Sequence, residues 1–148
     1  MNSALKSPAR PFLVYGVLGL IPFLAPPLVG VICPGLLSVS GAIQAIYAAL
    51  ILSFLGGTRW TLAAISARPG PGVVTLTMLP TLAGLALLLL PAQARALQLA
   101  GLGLALAAQG VWDARAQGMP EWYKGLRSRL TLAAMAGLAL GALLAHDG

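Results

Sequence analysis

Long runs of uncharged residues dominate the chain and set the positions of its predicted elements. Between Arg10 and Arg59 lie 48 uncharged residues, and later pairs of charged residues enclose runs of 26, 17 and 17. A hydrocarbon core of about 30 Å requires roughly 20 helical residues. The first run therefore accommodates two spans and a turn, and each later run accommodates one. The inward polar alternation of a membrane β-barrel is missing, so we predict an all-α membrane protein, a five-helix transmembrane bundle.

The bundle is predicted as a single multi-pass membrane domain over residues 1–148. Three prolines at 22–27 predict a kink in the first span, because each removes a backbone donor. The proline- and glycine-rich stretch 68–72 predicts a tight connection. Residues 119–128 are predicted as a separate interfacial helix that lies in the headgroup region. The five predicted spans are 12–32, 41–60, 73–90, 97–112 and 130–145.

The distribution of basic residues predicts the orientation of the bundle. With five spans, one face carries eight of the nine Lys and Arg residues, and the other face carries Arg95 alone. Because basic connections stay on the cytoplasmic side, we expect a cytoplasmic N-terminus and a periplasmic C-terminus in a bacterial inner membrane. The same face holds the three tryptophans, which favour the headgroup level. The eight basic residues are Lys6, Arg10, Arg59, Arg68, Arg115, Lys124, Arg127 and Arg129.

The composition of the chain excludes a water-soluble domain. The chain is 59% hydrophobic and only 8% charged, against about 25% charged residues in an average soluble protein. Its net charge of +6 is therefore expected to act on anionic lipid headgroups. Nucleic-acid binding requires a soluble basic face with stacking aromatics, and we predict none.

Small residues at four-residue spacing predict where the helices approach each other. Lipid tails are as apolar as leucine, so membrane helices associate through close backbone contact at small side chains. One stripe lies in the second span and another in the fifth. An alternative is that an Ala- and Gly-rich sequence produces such stripes by chance. The predicted packing positions are Ala45, Ala49, Ser53 and Gly57 in the second span, and Ala133, Gly137 and Gly141 in the fifth.

Two charged residues near span ends are candidates for a polar site. Arg59 and Asp113 are predicted at the cytoplasmic ends of the second and fourth spans, each beside a tryptophan, Trp60 or Trp112. A charge near hydrocarbon is costly unless it is paired or reaches the interface. One interpretation is a polar functional site walled by the two indoles. The other, which we favour, is a structural salt bridge that joins two helices.

The predicted interfacial segment contains a second group of candidates. Glu121 suits the positive end of a helix dipole. Trp122 and Tyr123 are expected in lipid while Arg127 faces headgroups. The alternative is that this aromatic and basic segment docks a partner protein, because such side chains are enriched at the centres of interfaces.

Three sequence motifs resemble a known family of membrane proteins. Pro22-Phe23 lies in the first span, and Ser53-Phe54-Leu55-Gly56-Gly57-Thr58-Arg59-Trp60 ends the second. The third motif has Pro120, Trp122, Tyr123, Leu126, Arg127, Leu130 and Thr131 at characteristic spacing. The chain thus resembles, over nearly its whole length, the transmembrane protein 69-like family of small bacterial and mitochondrial inner-membrane proteins, a domain of unknown function. The resemblance implies a location and no activity.

The chemistry-bearing residues are few, and their number shapes the expected function. One His, one Cys and three acids do not make a clustered metal site, and no nucleophile, phosphate-loop or dinucleotide motif occurs. We therefore expect no cofactor, no metal and no enzymatic activity. The predicted function is a small subunit, assembly helper or scaffold of a membrane complex. The alternative is an oligomeric channel or transporter for a neutral solute.

Overall fold

The computed structural model describes residues 10–65, 70–116 and 119–147, and within these ranges it contains helices and no strand. The predicted connection at 68–72 lies partly outside the described residues, and Lys6 and Arg68 lie outside them. Within the described ranges, seven α-helices form five columns, and two of these columns are interrupted. In chain order the helices are α1 (Arg10–Leu18), α2 (Ile21–Ile32), α3 (Leu37–Ala64), α4 (Pro71–Leu76), α5 (Leu79–Leu88), α6 (Arg95–Ala114) and α7 (Glu121–Asp147). The interrupted columns are α1 with α2 and α4 with α5.

Two prolines explain the two interrupted columns. A proline inside a helix clashes with the carbonyl four residues earlier and cannot donate to it. Pro22 lies four residues after Leu18, where α1 ends, and Pro80 lies four residues after Leu76, where α4 ends. Each proline then occupies the first turn of the following helix. The predicted kink of the first span is therefore found at residues 19–20, just ahead of Pro22.

Four of the five columns are long and apolar enough to cross a membrane, namely Arg10–Ile32, Pro34–Ala64, Pro71–Leu88 and Glu121–His146. The fifth column, α6, has 20 residues, which correspond to about 30 Å of helix. It is less apolar because it contains buried polar residues, Gln98, Gln109 and Asp113. These polar side chains are buried among the other helices, so they do not face lipid and α6 can still span the membrane. The predicted five-helix transmembrane architecture is therefore confirmed.

The core lies around α3 and α6. The helix α3 contacts α2, α5, α6 and α7, and α6 packs most extensively along α7. Buried leucines and alanines fill the space between them, while large apolar side chains cover the outside, such as Tyr15 at 74% exposure and Leu104 at 71%. Such an apolar exterior is suited to lipid. The fully buried leucines of the core are Leu52, Leu99, Leu102 and Leu138.

The middle of the predicted stripe on α3 forms the seam with α5. Ala45 is fully buried, and Ala49 lies so close to α5 that a Cβ at Gly84 would be 3.3 Å from the Ala49 Cα. Further along, the Thr81 hydroxyl donates a hydrogen bond of 3.3 Å to Ser53 Oγ. Small side chains thus bring the two backbones together, as expected for membrane helices.

The last member of that stripe, Gly57, is exposed and has no atom within 4 Å of the position a Cβ would take. A helix turns about 100° per residue, so Gly57 lies roughly 120° around α3 from Ala45. The close approach is made instead by Gly56, where a Cβ would lie 2.9 Å from the Thr77 carbonyl oxygen. The predicted stripe was wrong at this position because a four-residue repeat drifts around the helix.

The stripe on α7 packs against two different helices. Gly137 is buried against α2, and a Cβ there would overlap the Phe23 carbonyl. Gly141 is buried against the Gln44 side chain of α3. Ala133 is half-buried. The helix α7 therefore uses its small residues to approach both α2 and α3.

The segment predicted as a separate interfacial helix is continuous with the last span. The helix α7 begins at Glu121, directly after Pro120, and continues to Asp147. No proline interrupts it, and Gly125 alone is insufficient to break a helix of this length. The basic and aromatic residues of 121–129 are thus rigidly connected to the transmembrane part of α7.

A buried arginine–aspartate cluster as the candidate functional site

Three charged side chains from three helices meet at one end of the bundle. Arg59 Nε on α3 lies 2.9 Å from Asp113 Oδ1 on α6. Arg127 Nη2 on α7 lies 2.9 Å from Asp113 Oδ2. Each carboxylate oxygen therefore accepts a charge-assisted hydrogen bond from a different arginine, the stronger class of protein hydrogen bond. We call Arg59, Asp113 and Arg127 the charged cluster.

Neighbouring groups on α6 complete the coordination of the charged cluster. Gln109, one turn before Asp113, donates from Nε2 to Asp113 Oδ1 at 3.0 Å. Arg59 Nη2 donates to the Trp112 carbonyl, and the Arg59 guanidinium lies 4.5 Å from the centroid of the Trp112 ring. This distance allows a cation–π contact, which is strongest with tryptophan. The carboxylate is thus held by three donors, and Arg59 is covered by an indole.

Burial makes the charged cluster energetically important. The side chains of Arg59 and Asp113 are 9% and 6% exposed, and that of Arg127 is 13% exposed. Desolvation of an ion pair costs several kcal/mol per ion, so such a pair adds little net stability. Removing one partner, however, leaves an uncompensated buried charge and costs about 3–5 kcal/mol. The cluster therefore fixes α3, α6 and α7 in one arrangement.

The structure separates the remaining predicted site residues from the charged cluster. Trp60 is 46% exposed on the outside of α3. The Glu121 carboxylate is 87% exposed and pairs with Lys124 at 2.7 Å. Trp122 and Tyr123 form an edge-on aromatic group with Phe12 of α1, with centroid distances of 5.7 and 6.4 Å. Both tryptophans were predicted to border the polar site, and of the two it is Trp112 whose ring covers Arg59.

Sequence reasoning missed the position of Arg127, which was expected to face headgroups. It lies instead two turns into α7 and turns inward to Asp113. The sequence does contain one indication of this contact. Asp113 is one of only three acidic residues in the chain, and two arginines, Arg59 and Arg127, lie near span ends at the same predicted face. The direction of Arg127 around α7 could not be predicted from the sequence of 119–128, because this segment is continuous with the last span.

A second, neutral junction lies deeper in the bundle and centres on Gln44 of α3. Gln44 Nε2 donates to the Phe23 carbonyl of α2 at 2.7 Å and to the Gly137 carbonyl of α7 at 2.8 Å. The Phe23 carbonyl lies four residues before Pro27, which has no N–H to offer it. One amide thus satisfies an acceptor left open by proline and joins three helices. We call this the Gln44 junction.

Side chains also act in this way at two helix ends, where they donate to backbone carbonyls that lack a partner in the helix. The Tyr47 hydroxyl donates to the Gly19 carbonyl at 3.0 Å, beside the gap between α1 and α2. Gln98 Nε2 donates to the Leu87 carbonyl at 2.8 Å, four residues before Pro91. Unsatisfied backbone groups are costly in lipid, so side chains of α3 and α6 stabilise the interrupted columns.

These geometries define what the interior groups can do chemically. The Asp113 oxygens and the amide donors of Gln44, Gln98 and Gln109 are occupied by contacts between or within helices. Among the described residues, moreover, no group of three or more His, Cys, Asp or Glu side chains is placed to hold a metal ion.

Comparisons with known proteins place the chain in a sequence family. Residues 8–143 match the family described as protein of unknown function, DUF3429. The chain is 37% identical over 155 aligned residues to transmembrane protein 69 of Xenopus tropicalis, which covers 95% of the chain and 56% of that relative. It is 36% identical over 136 aligned residues to transmembrane protein 69 of Mus musculus, covering 88% of the chain and 54% of the relative.

The chain spans just over half the length of these curated relatives. No solved structure matches it. The match covers all five helical columns, which carry both the charged cluster and the Gln44 junction. The protein therefore belongs to the DUF3429 family, a family of transmembrane proteins of unknown function, and is similar to transmembrane protein 69.

Proposed function

We propose that this protein is a non-enzymatic subunit, assembly helper or scaffold of a larger membrane complex. The observation that carries the proposal is the use of its interior polar groups. The charged cluster, the Gln44 junction and Gln98 direct their donors to partners within the bundle. A chain that uses its interior polar side chains to fix helix positions is suited to presenting a defined outer surface.

The test is extraction of the tagged protein from native membranes in mild detergent, followed by native gel electrophoresis and mass spectrometry. We expect the protein to migrate with a defined, stoichiometric set of membrane-protein partners. Asp113→Asn, which disrupts the charged cluster, should reduce that association. Glu121→Gln, which breaks an exposed pair, should retain it. Migration of the wild-type protein alone, as a monomer or homo-oligomer, would contradict the proposal.

A neutral-solute channel is the alternative function, and one observation favours it. A cavity of about 310 Å³ lies between α5 and α6, bordered by Pro80, Gln109 and Trp112. Solute flux into liposomes containing the purified protein would support this function. It should fall when Ala105, which lines the cavity, is replaced by Phe. Flux equal to that of protein-free liposomes would exclude it.

We further propose that the protein lies in a bacterial inner membrane with its N-terminus cytoplasmic. The support is the eight-to-one distribution of basic residues between the two faces. Cys33 is the one cysteine of the chain and is exposed after α2, on the predicted outer face. A membrane-impermeant maleimide should label it in intact spheroplasts. The matched control, Cys33→Ser with Gly125→Cys, should be labelled only after lysis; the reverse pattern would invert the orientation.

A further inference from the structure

An apolar cleft of about 490 Å³ opens on the side of the bundle between α1 and α3. Its rim includes the exposed rings of Tyr15 and Phe54, and its floor includes the buried side chains of Phe23, Leu55 and Leu106. Ligand pockets commonly have volumes of about 300–1,000 Å³ and are mainly apolar with a few polar groups. The volume and lining are thus those of a site for a hydrocarbon chain.

The cleft has a polar end at Arg127, which lines it together with Tyr123. Arg127 Nη2 is bonded to Asp113, but Arg127 Nε is buried without a hydrogen-bond partner among the described residues. An unsatisfied buried donor costs about 1–3 kcal/mol, and more when it is charged. The Arg127 side chain is 13% exposed and lines the cleft, so a rotation of this side chain toward the cleft would bring Nε to an acceptor supplied from outside the chain and remove this cost.

The charge of the cluster also calls for an anion. Two arginines share one aspartate, so the charged cluster has a formal charge of +1. The chain has only two other acids. Glu121 is exposed and paired with Lys124. Asp147 follows Arg127 by 20 residues in α7, which corresponds to roughly 30 Å along the helix axis. Among the described residues, therefore, no second carboxylate pairs with Arg59 or Arg127 to balance the excess positive charge.

From these observations we propose that the cleft binds one phospholipid with an anionic headgroup. Its phosphate receives hydrogen bonds from Arg127, and an acyl chain occupies the apolar cleft. The aromatic group formed by Phe12, Trp122 and Tyr123 lies one turn beyond Arg127, where aromatic rings meet the headgroup level. This inference is independent of the proposed function, because a bound structural lipid is compatible with a scaffold or a channel.

Native mass spectrometry of the whole, detergent-purified protein tests the site. The probes are phosphatidylglycerol and phosphatidylcholine with identical acyl chains, added to delipidated protein. We expect phosphatidylglycerol to bind roughly tenfold more tightly, because its headgroup keeps a net negative charge, whereas the choline cation of phosphatidylcholine cancels the charge of its phosphate. Arg127→Gln should abolish this preference. Arg129→Gln, which removes an exposed charge from the same helix, should keep it. Equal binding of the two lipids by the wild type would overturn the proposal.

A second pair of variants tests the cleft without touching the charged cluster. Ile51 lines the cleft on α3, and its neighbour Leu50 is 61% exposed outside it. Ile51→Trp should fill the cleft and lower phosphatidylglycerol occupancy several-fold, whereas Leu50→Trp should leave it unchanged. Unchanged binding by Ile51→Trp would overturn the site. Displacement of the lipid by glycerol 3-phosphate at equal concentration would show an anion site and contradict the lipid assignment.

Discussion

The charged cluster and the Gln44 junction join the same two helices, α3 and α7, by different chemistry. The cluster links them through Asp113 of α6 and uses ions near the helix ends. The junction links them through α2 and uses one neutral amide. Along α3 the two sites are 15 residues apart, about 22 Å. The charged residues thus lie near the helix ends, where the membrane–water interface lowers the free-energy cost of burying a charge. The neutral hydrogen bonds of the Gln44 junction lie deeper in the bundle.

The comparison teaches how a small bundle in lipid acquires a defined arrangement. Without a hydrophobic drive between helices, specificity must come from packing and from interhelical hydrogen bonds. The cluster is sensitive to the loss of any one charge, because the remaining charges stay buried. The stability of the Gln44 junction depends more on close packing, because the absence of side chains at Gly137 and Gly141 leaves the space that the Gln44 side chain and the α2 backbone occupy.

The largest effect is expected for Asp113→Asn. The substitution leaves Arg59 and Arg127 buried without a carboxylate, so the free energy of unfolding should fall by about 3–5 kcal/mol. Unfolding in mixed micelles, followed by circular dichroism during an SDS titration, measures this change. The matched control is Glu121→Gln, which breaks an exposed pair and should change stability by at most about 1 kcal/mol. Equal stability of the two variants would show that the cluster is not structural.

A smaller effect is expected when a side chain is added at the Gln44 junction. In Gly137→Ala the new Cβ overlaps the Phe23 carbonyl, and overpacking of this kind costs about 1–3 kcal/mol. Gly125→Ala on the same helix has open space and should be neutral or stabilising by up to about 1 kcal/mol. The same SDS titration compares the two. If Gly137→Ala proved as stable as Gly125→Ala, the close approach of α2 and α7 would be wrong.

The smallest effect is expected for loss of the hydrogen bond that Gln44 donates to the Phe23 carbonyl, which Pro27 leaves without a backbone donor. Gln44→Leu removes the donor to the Phe23 carbonyl and should lower the free energy of unfolding by about 1 kcal/mol. Pro27→Ala restores a backbone N–H for that carbonyl. In the Pro27→Ala background, Gln44→Leu should therefore cost less than in the wild type. A double-mutant cycle measures the difference, and strict additivity would argue against this role of Gln44.

Much of the architecture could be predicted because charge-free runs and prolines act locally. The lengths of the runs predicted five columns, and Pro22 predicted the break of the first. The Arg59–Asp113 contact was one of two interpretations, since both residues were placed at the same end. Arg127 could not be placed, because its direction depends on how α7 rotates against α6. The role of Gln44 could not be predicted either. Pro27 leaves the Phe23 carbonyl without a backbone donor, but the sequence does not show which side chain of another helix lies beside that carbonyl.

The most direct test of the claim that buried polar contacts fix the bundle is a double-mutant cycle on Arg59→Gln and Asp113→Asn. Arg59→Gln leaves Asp113 paired with Arg127, and Asp113→Asn leaves both arginines without a carboxylate. In the double variant, Arg127 alone has lost its partner. We predict that the double variant is more stable than the sum of the single effects implies, by about 2 kcal/mol, as expected for residues in contact. Additive losses in the free energy of unfolding would contradict the account, because they would show that the two side chains do not depend on each other.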